Sequence, residues 1–473
     1  MSEHLKHPQA AAGDSCSSEG GAKGDLSWWK LSLFGAGCTI GTAFFLGTGI
    51  AVRRSGFLVL PIFLAAAAAT YFVYEALASM TAERPEKGSF RAYAKKAYGR
   101  WAGFSTGWIY WSSELLILGG SLTALGLFTR YWLPSVPLWV FAAAYAVLAL
   151  AVVVLGASGI NTAENLFAVV KIAAVGMFIV VAAFMLLSGK ASSAAKPAEW
   201  RRLLEAGGWR GAWSGLLYAF YAFSGIEVMG FMAAGLKRPD DAPKAGRIML
   251  LGIGILYLLS IGLAVLIVPR SAMNASESPF LQALEAMRLP VLVHALNGVL
   301  IVAGFSILVA SLYGVSTMLV SLASDGDAPH WLARTAGARR LPWAALLVNA
   351  GGMAVSVVLA LLLPSTLFEH LATAGGLVLL YVWMFIVATY LKLQKPGLPG
   401  WIKSGTALVL MAAAASGSLL EPAGRPGFWA SLAIAAAVAA VTLAVSRRWK
   451  GEPPLPAEEE HPGSDACRET ASS

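Results

Sequence analysis

Charge is scarce in this chain. Asp, Glu, Lys and Arg make up 13% of its 473 residues, about half of the roughly 25% usual in soluble domains. A soluble globule of this length needs far more polar surface to cover its core. Cysteine is scarcer still: Cys16, Cys38 and Cys467 form no CxxC pair, which argues against a disulfide framework or a cysteine metal site. The six histidines join no His/Cys/Asp cluster with metal-ligand spacing. Neither a metal nor a cofactor is therefore expected. Disorder over most of the chain is excluded as well, because 57% of the residues are hydrophobic and disordered segments have too little apolar surface to bury.

Long apolar runs take the place of charge. A membrane-spanning helix needs ~20 such residues. Twelve segments qualify, near 28–52, 57–80, 101–128, 136–156, 163–187, 212–235, 247–268, 290–323, 343–363, 366–391, 402–420 and 428–446. The spacing predicts an all-α polytopic membrane protein with a transmembrane domain over 28–446, flanked by disordered polar tails at 1–27 and 447–473. The net charge of +9 could indicate a nucleic-acid partner. The basic residues sit between apolar runs, however, where they orient a membrane protein in its bilayer. With the N-terminus inside, the inner segments hold 23 Lys/Arg and the outer segments 11. Both termini are thus expected to be cytoplasmic, in a multi-pass protein of the cell membrane. The segment 82–100, with six basic residues, is expected to anchor on anionic headgroups. Nothing in the sequence specifies an oligomeric state.

Two of the spans carry breaks. The first contains GAGCTIGT over residues 35–42, and glycines inside a helix leave its backbone poorly committed to helical hydrogen bonds. In lipid, unwound backbone survives only where it lines a cavity within the protein. Its N–H groups and a helix N-terminus could then hold an anionic group such as a carboxylate. The alternative is helix packing, since Gly37 and Gly41 are spaced as GxxxG. The sixth span reads YAFYAFSGIEVMGFMAAG over 218–235. Ser224 and Gly225 interrupt it, and Glu227 follows about fifteen residues into the span, or ~22 Å deep. A carboxylate at that depth needs a partner or a water-filled path. Interrupted spans at corresponding places in two five-helix halves, 28–187 and 212–391, form the pattern of an inverted-repeat transporter. A substrate carboxylate would go to the first break, and its ammonium to carbonyls freed at the second.

Two further ionisable residues lie within spans. Glu114 is ~15–20 Å deep, and reads either as half of an ion pair or as a substrate or proton group. Lys171 is ~12 Å deep, from where its stem could snorkel to the surface or serve the site. Glu75 and Glu369 lie nearer the span ends, where a structural or interfacial placement is the simpler reading. The apolar residues Ile117, Phe223 and Leu308 favour a substrate with a neutral side chain.

At this point the chain resembles the amino acid–polyamine–organocation superfamily, and within it the amino acid transporter family of bacterial permeases. The resemblance runs from about Asp25 to Leu393. It rests on IGTAFFLGTG (40–49), GSFRAYAKKAYGRWAGFSTGWIYW (88–111), FSGIE (223–227) with KRPDDAPKA (237–245), and LYGVSTMLVSLASDGDAP (312–329). It implies a five-plus-five inverted-repeat, leucine-transporter-like core with discontinuous first and sixth helices, two extra C-terminal helices over 402–446, and amino acid transport. It also implies that Gly37, Cys38, Thr39, Ile40, Gly41 and Thr42 form the carboxylate loop. Tyr221, Phe223, Ser224, Gly225 and Ile226 then complete the substrate site, with Tyr221 as a gating aromatic. Lys171 stands where similar transporters use a lysine in place of a sodium ion; with Glu227 and Glu114, read from their depth in the spans, it makes the candidate proton-coupling set. Expected partners are a small amino acid, protons and the lipid bilayer, with no nucleic acid. An exchanger of the same fold is the alternative.

Two short motifs look enzymatic. GFSTG (103–107) fits GxSxG but opens an apolar helix, whereas that elbow works between a strand and a helix. GASG (156–159) resembles an intramembrane serine site, but no histidine stands where a base is needed. Hydrolysis is disfavoured, and the chain is expected not to be an enzyme.

Overall fold

With no water to satisfy backbone groups in a bilayer, an apolar run must bond its own N–H and C=O groups, and helix is the form that does so within one segment. A computed structural model describes residues 26–86, 88–156, 160–190, 208–335, 341–363 and 366–449. Almost all of both tails, most of the loop 188–211 and three residues of GASG lie outside them. The described residues form helices joined by turns, with an isolated bridge between Leu26 and Leu236.

The first half contains α1 (Trp28–Thr39), α2 (Thr42–Ser55), α3 (Val59–Glu83), α4 (Phe90–Tyr98), α5 (Arg100–Arg130), α6 (Leu138–Gly156) and α7 (Ile160–Leu187). The second contains α8 (Gly208–Tyr221), α9 (Ile226–Ala233), α10 (Ala242–Ile267), α11 (Pro279–Ala286), α12 (Pro290–Ser324), α13 (Trp343–Leu362) and α14 (Leu367–Gln394). Two helices follow, α15 (Leu398–Gly417) and α16 (Arg425–Trp449). Prolines at the first turns of α10, α11, α12 and α15 sit where a helix has no N–H partner to lose.

Eleven helices among the described residues are long and apolar enough to cross a membrane, against twelve apolar segments in the sequence. The difference arises at the first break. α1 has 12 residues and extends ~18 Å, too short alone for a ~30 Å hydrocarbon core. α2 and α3 are joined by a single turn, Gly56–Leu58, and run together over Thr42–Glu83. Gly56 makes that corner with φ 57°, a conformation that favours glycine.

Burial orders the bundle. The α8–α9 run and α14 have 78% of their most apolar stretch inside the protein, against 22% for α15 and 11% for α16. The broken helix of the second half is therefore central and the two C-terminal helices are peripheral. Lipid tails are as apolar as leucine, so close packing and internal hydrogen bonds must hold such a bundle. α3 and α10 meet where a Cβ at Gly246 would fall 1.8 Å from the Tyr74 ring, and the Tyr74 hydroxyl donates to the Ala242 carbonyl at 2.9 Å.

The structure takes Arg91 and Arg100 out of the headgroup anchor expected over 82–100, while Arg84, Lys95 and Lys96 stay exposed. Residues 90–98 form α4, and Arg91 is buried. Its guanidinium pairs with Asp325 and lies 3.6 Å from Asp327, which also takes Arg100 at 3.0 Å. These arginines latch α4 and α5 to the end of α12 through charge-assisted hydrogen bonds to carboxylates. Lys96 pairs with Glu86 instead. Glu369 is likewise not merely interfacial, since it pairs with Arg54, a side chain only 8% exposed. Arg54 also stacks over Tyr218 at 4.8 Å. Glu75 is structural, held by Lys403 at 2.9 Å.

Candidate functional site

Helix α1 stops at Thr39, where Ile40 turns extended (φ −79°, ψ 96°). Gly41 is also extended, and α2 starts at Thr42 without a side-chain cap on its first turn. The opening N–H groups of α2 thus have no partner within the helix, and the helix dipole adds partial positive charge there. Opposite, α8 stops at Tyr221, Ala222–Gly225 form a turn, and α9 starts at Ile226. Gly225 reverses the chain with φ 102°. Its Cα faces α1 so closely that a Cβ would fall 2.8 Å from the Cys38 carbonyl oxygen. The two breaks therefore abut through backbone, a contact only glycine allows.

One side chain joins both breaks. Tyr257 of α10 is fully buried, and its hydroxyl lies 3.2 Å from the Thr39 carbonyl and 3.1 Å from the Ala222 carbonyl. It carries one proton and can donate to either acceptor. Its ring stacks on Phe44 of α2, with centroids 3.7 Å apart. The sequence reading passed over Tyr257. The available signal was a tyrosine in the middle of an apolar run, because a buried Tyr hydroxyl needs a partner. Replacing it with Phe removes the one donor that these two carbonyls share. Unfolding stability should fall by ~1–3 kcal/mol, measured by thermal unfolding of the purified protein.

Lys171 does not snorkel. It is fully buried, and its ammonium donates to the Gly37 carbonyl at 2.9 Å, one turn before the break. Glu227 is also buried. It folds back to accept the Gly225 N–H at 3.2 and 3.3 Å, and accepts the Trp383 indole N–H at 3.3 Å. The carboxylate thereby closes the sharp turn that creates the break and ties it to α14. Glu114 of α5 is 8% exposed. Ser311 supplies it with a hydrogen bond, and Glu227 and Tyr110 lie within electrostatic range. Two buried carboxylates thus face one region.

Tyr221 stands between the breaks. Ideal Cβ positions at Gly47 and Gly376 fall 3.6 and 3.5 Å from its ring carbons, and that at Gly120 falls 3.4 Å from its hydroxyl. The hydroxyl is buried and has no hydrogen-bond partner among the described residues. Native structures rarely leave such a group unpaired. Thr42, at the start of α2, shares a hydrogen bond with Ser121 of α5 at 3.1 Å. Phe223 packs into the aromatic cluster, 5.2 Å from Tyr257. Cys38, Thr39, Ile40, Ser224 and Ile226 lie in or beside the two breaks. The structure therefore gathers the residues singled out in the sequence around one pair of interrupted helices.

Two broken helices packed against each other inside a helical bundle define an inverted-repeat membrane transporter. A crystal structure of a manganese transporter from Eremococcus coleocola shares this architecture, with a TM-score of 0.56 at 13% identity, over 92% of this chain and 99% of that one. The chain belongs to the amino acid permease family, which matches residues 30–403. It is 49% identical to the uncharacterized transporter YcgH of Bacillus subtilis, over 90% of this chain and 96% of that protein. It is 31% identical to the aromatic amino acid transport protein AroP of Corynebacterium glutamicum, over 77% of this chain and 80% of that one. Identity to the L-asparagine permease of Escherichia coli is 30%, over 77% and 74%. The protein is a multi-pass membrane amino acid permease, and not an enzyme.

Proposed function

We propose that the protein takes up a neutral amino acid with a proton, by alternating access across the cell membrane, with twelve crossings and both termini cytoplasmic. The abutting breaks are the observation that carries this reading. The substrate carboxylate lies on the open N–H groups at Gly41–Thr42, and its ammonium on carbonyls released around Ala222–Ser224. Both charges of a zwitterion meet preorganised backbone dipoles at no cost of reorganisation. Tyr221 covers the substrate, and its unpaired hydroxyl is free to bond it. Ile117 and Phe223, which belong to the same apolar core, support a neutral side chain, whereas Leu308 packs in a separate cluster with Leu118 and Leu122.

Lys171 supplies the positive charge that a sodium ion would otherwise bring to the first break. Protonated, it holds the Gly37 carbonyl and fixes the end of α1. On losing its proton it releases that carbonyl, which loosens the carboxylate site. Glu227 and Glu114 stand nearby as groups that share or pass the proton.

A thermal-shift screen of the twenty amino acids on the purified protein tests the substrate class. A binder at 100 times its Kd stabilises by ~2.7 kcal/mol. Stabilisation by one or a few neutral amino acids is expected, and loss of most of it when the carboxylate is amidated, because that change removes a charge-assisted contact set of ~1.5–3 kcal/mol. Equal stabilisation by amide and free acid would overturn the carboxylate assignment. Stabilisation by cationic amino acids alone would overturn the neutral one and transfer the side-chain contact to Glu114.

A further inference from the structure

A groove enclosing about 410 Å3 opens on the outer face of the bundle between α1, α7 and α10. Trp28, Ala36 and Ile40 form one wall, Ile172 another, and Met249 and Gly252 the third. It has little to offer a polar solute. Its one serine, Ser32, is already engaged with the carbonyls of Trp28 and Ala245, at 3.0 and 2.8 Å. The α10 surface beside it is apolar and exposed at Ile248, Leu251 and Ile255.

The groove runs from the start of α1 to its break. Twelve residues of helix cover ~18 Å, close to the ~15 Å depth of one leaflet's hydrocarbon. Its end at the start of α1 is aromatic and cationic. The Lys244 ammonium lies 4.3 Å from the centroid of the Trp28 ring, and the Lys30 ammonium 5.7 Å from that of Trp29. Arg247 directly precedes Ile248 on the groove's edge and is exposed. Lys237 and Arg238 also lie just before α10, with Asp240 and Asp241 following them in sequence. Tryptophan and lysine at a helix end mark the headgroup level, and each basic residue there attracts an anionic lipid.

We propose that this groove binds an anionic phospholipid, with an acyl chain along α1 and the phosphate on Lys30, Lys244 and Arg247. One wall of the groove is the first half of the broken first helix, with Ala36 and Ile40 flanking the Gly37 carbonyl that Lys171 holds. The chain thus props α1 against α7 and α10 from the lipid side. The site is separate from the substrate site, and its existence does not depend on which amino acid is carried.

Native mass spectrometry of the full-length purified protein tests this, with phosphatidylglycerol and phosphatidylcholine of the same acyl chains. Phosphatidylglycerol should be retained about tenfold better, the worth of one to two headgroup–cation contacts. Replacing Lys244→Gln and Arg247→Gln together should bring it down to the phosphatidylcholine level. Gly252→Phe should displace both lipids, because a Cβ there meets nothing within 4 Å and the ring extends from it into the groove that Gly252 lines. All three sites are exposed, and thermal unfolding verifies that the variants remain folded. Equal retention of the two lipids by the wild type would overturn the proposal. So would a charge variant that keeps the preference, or a Gly252→Phe protein that holds phosphatidylglycerol as the wild type does.

Discussion

Lys171→Ala should abolish accumulation driven by a proton gradient while leaving the protein folded. The lysine is fully buried and its ammonium donates to the Gly37 carbonyl. Truncation removes a charged donor, an interaction worth ~1.5–3 kcal/mol, which is at least a tenfold weakening of whatever the first break holds. It also relieves the protein of a buried charge, so the loss in stability should be smaller than the loss in transport. Uptake into proteoliposomes, with and without an inward proton gradient, separates the two. The variant should at most equilibrate its substrate and should show no response to the gradient. Full gradient-driven accumulation would reduce Lys171 to a strut between α7 and α1.

Gly225→Ala should be more severe, because it strikes the protein where the two breaks meet. At φ 102° an L side chain is strained, and strained backbone of this kind costs ~1–3 kcal/mol. The added Cβ would also fall 2.8 Å from the Cys38 carbonyl oxygen and 3.0 Å from its carbon. Those are backbone atoms, so the clash is relieved only by moving the end of α1 away from α9. Transport should fall below detection, and the melting temperature in detergent should drop with it. Wild-type uptake by this variant would mean that the breaks do not act as one unit. Gly41→Val is a gentler comparison. A Cβ there meets the tip of Ile307 at 2.1 Å, and that flexible end can yield.

The breaks were legible in the sequence because their cause is local. Glycine and serine inside an apolar run weaken helix wherever they occur, and Glu227 beside such a run stands out through its charge. The partners were not legible, because contacts across a bundle join positions far apart in the chain. Tyr257 lies 218 residues from Thr39, and Trp383 lies 156 from Glu227. Arg91 was misread for the same reason. Among lysines and arginines in a polar stretch it looks like a headgroup contact, and only its approach to Asp325, 234 residues on, shows otherwise. Charge counts describe a segment as a whole, and do not tell which of its arginines turns inward. The depth of Lys171 was readable from the helix rise, but its direction was settled by α1 packing beside α7.

The central claim is that the abutting breaks and Lys171 make a proton-driven amino acid uptake site. Its most direct test is uptake into proteoliposomes that contain no amino acid and no sodium, using an amino acid that stabilises the purified protein. An inward proton gradient should drive accumulation above the outside concentration, and collapsing the gradient should release it. Uptake that requires sodium, or that appears only when the vesicles are preloaded with amino acid, would contradict the claim.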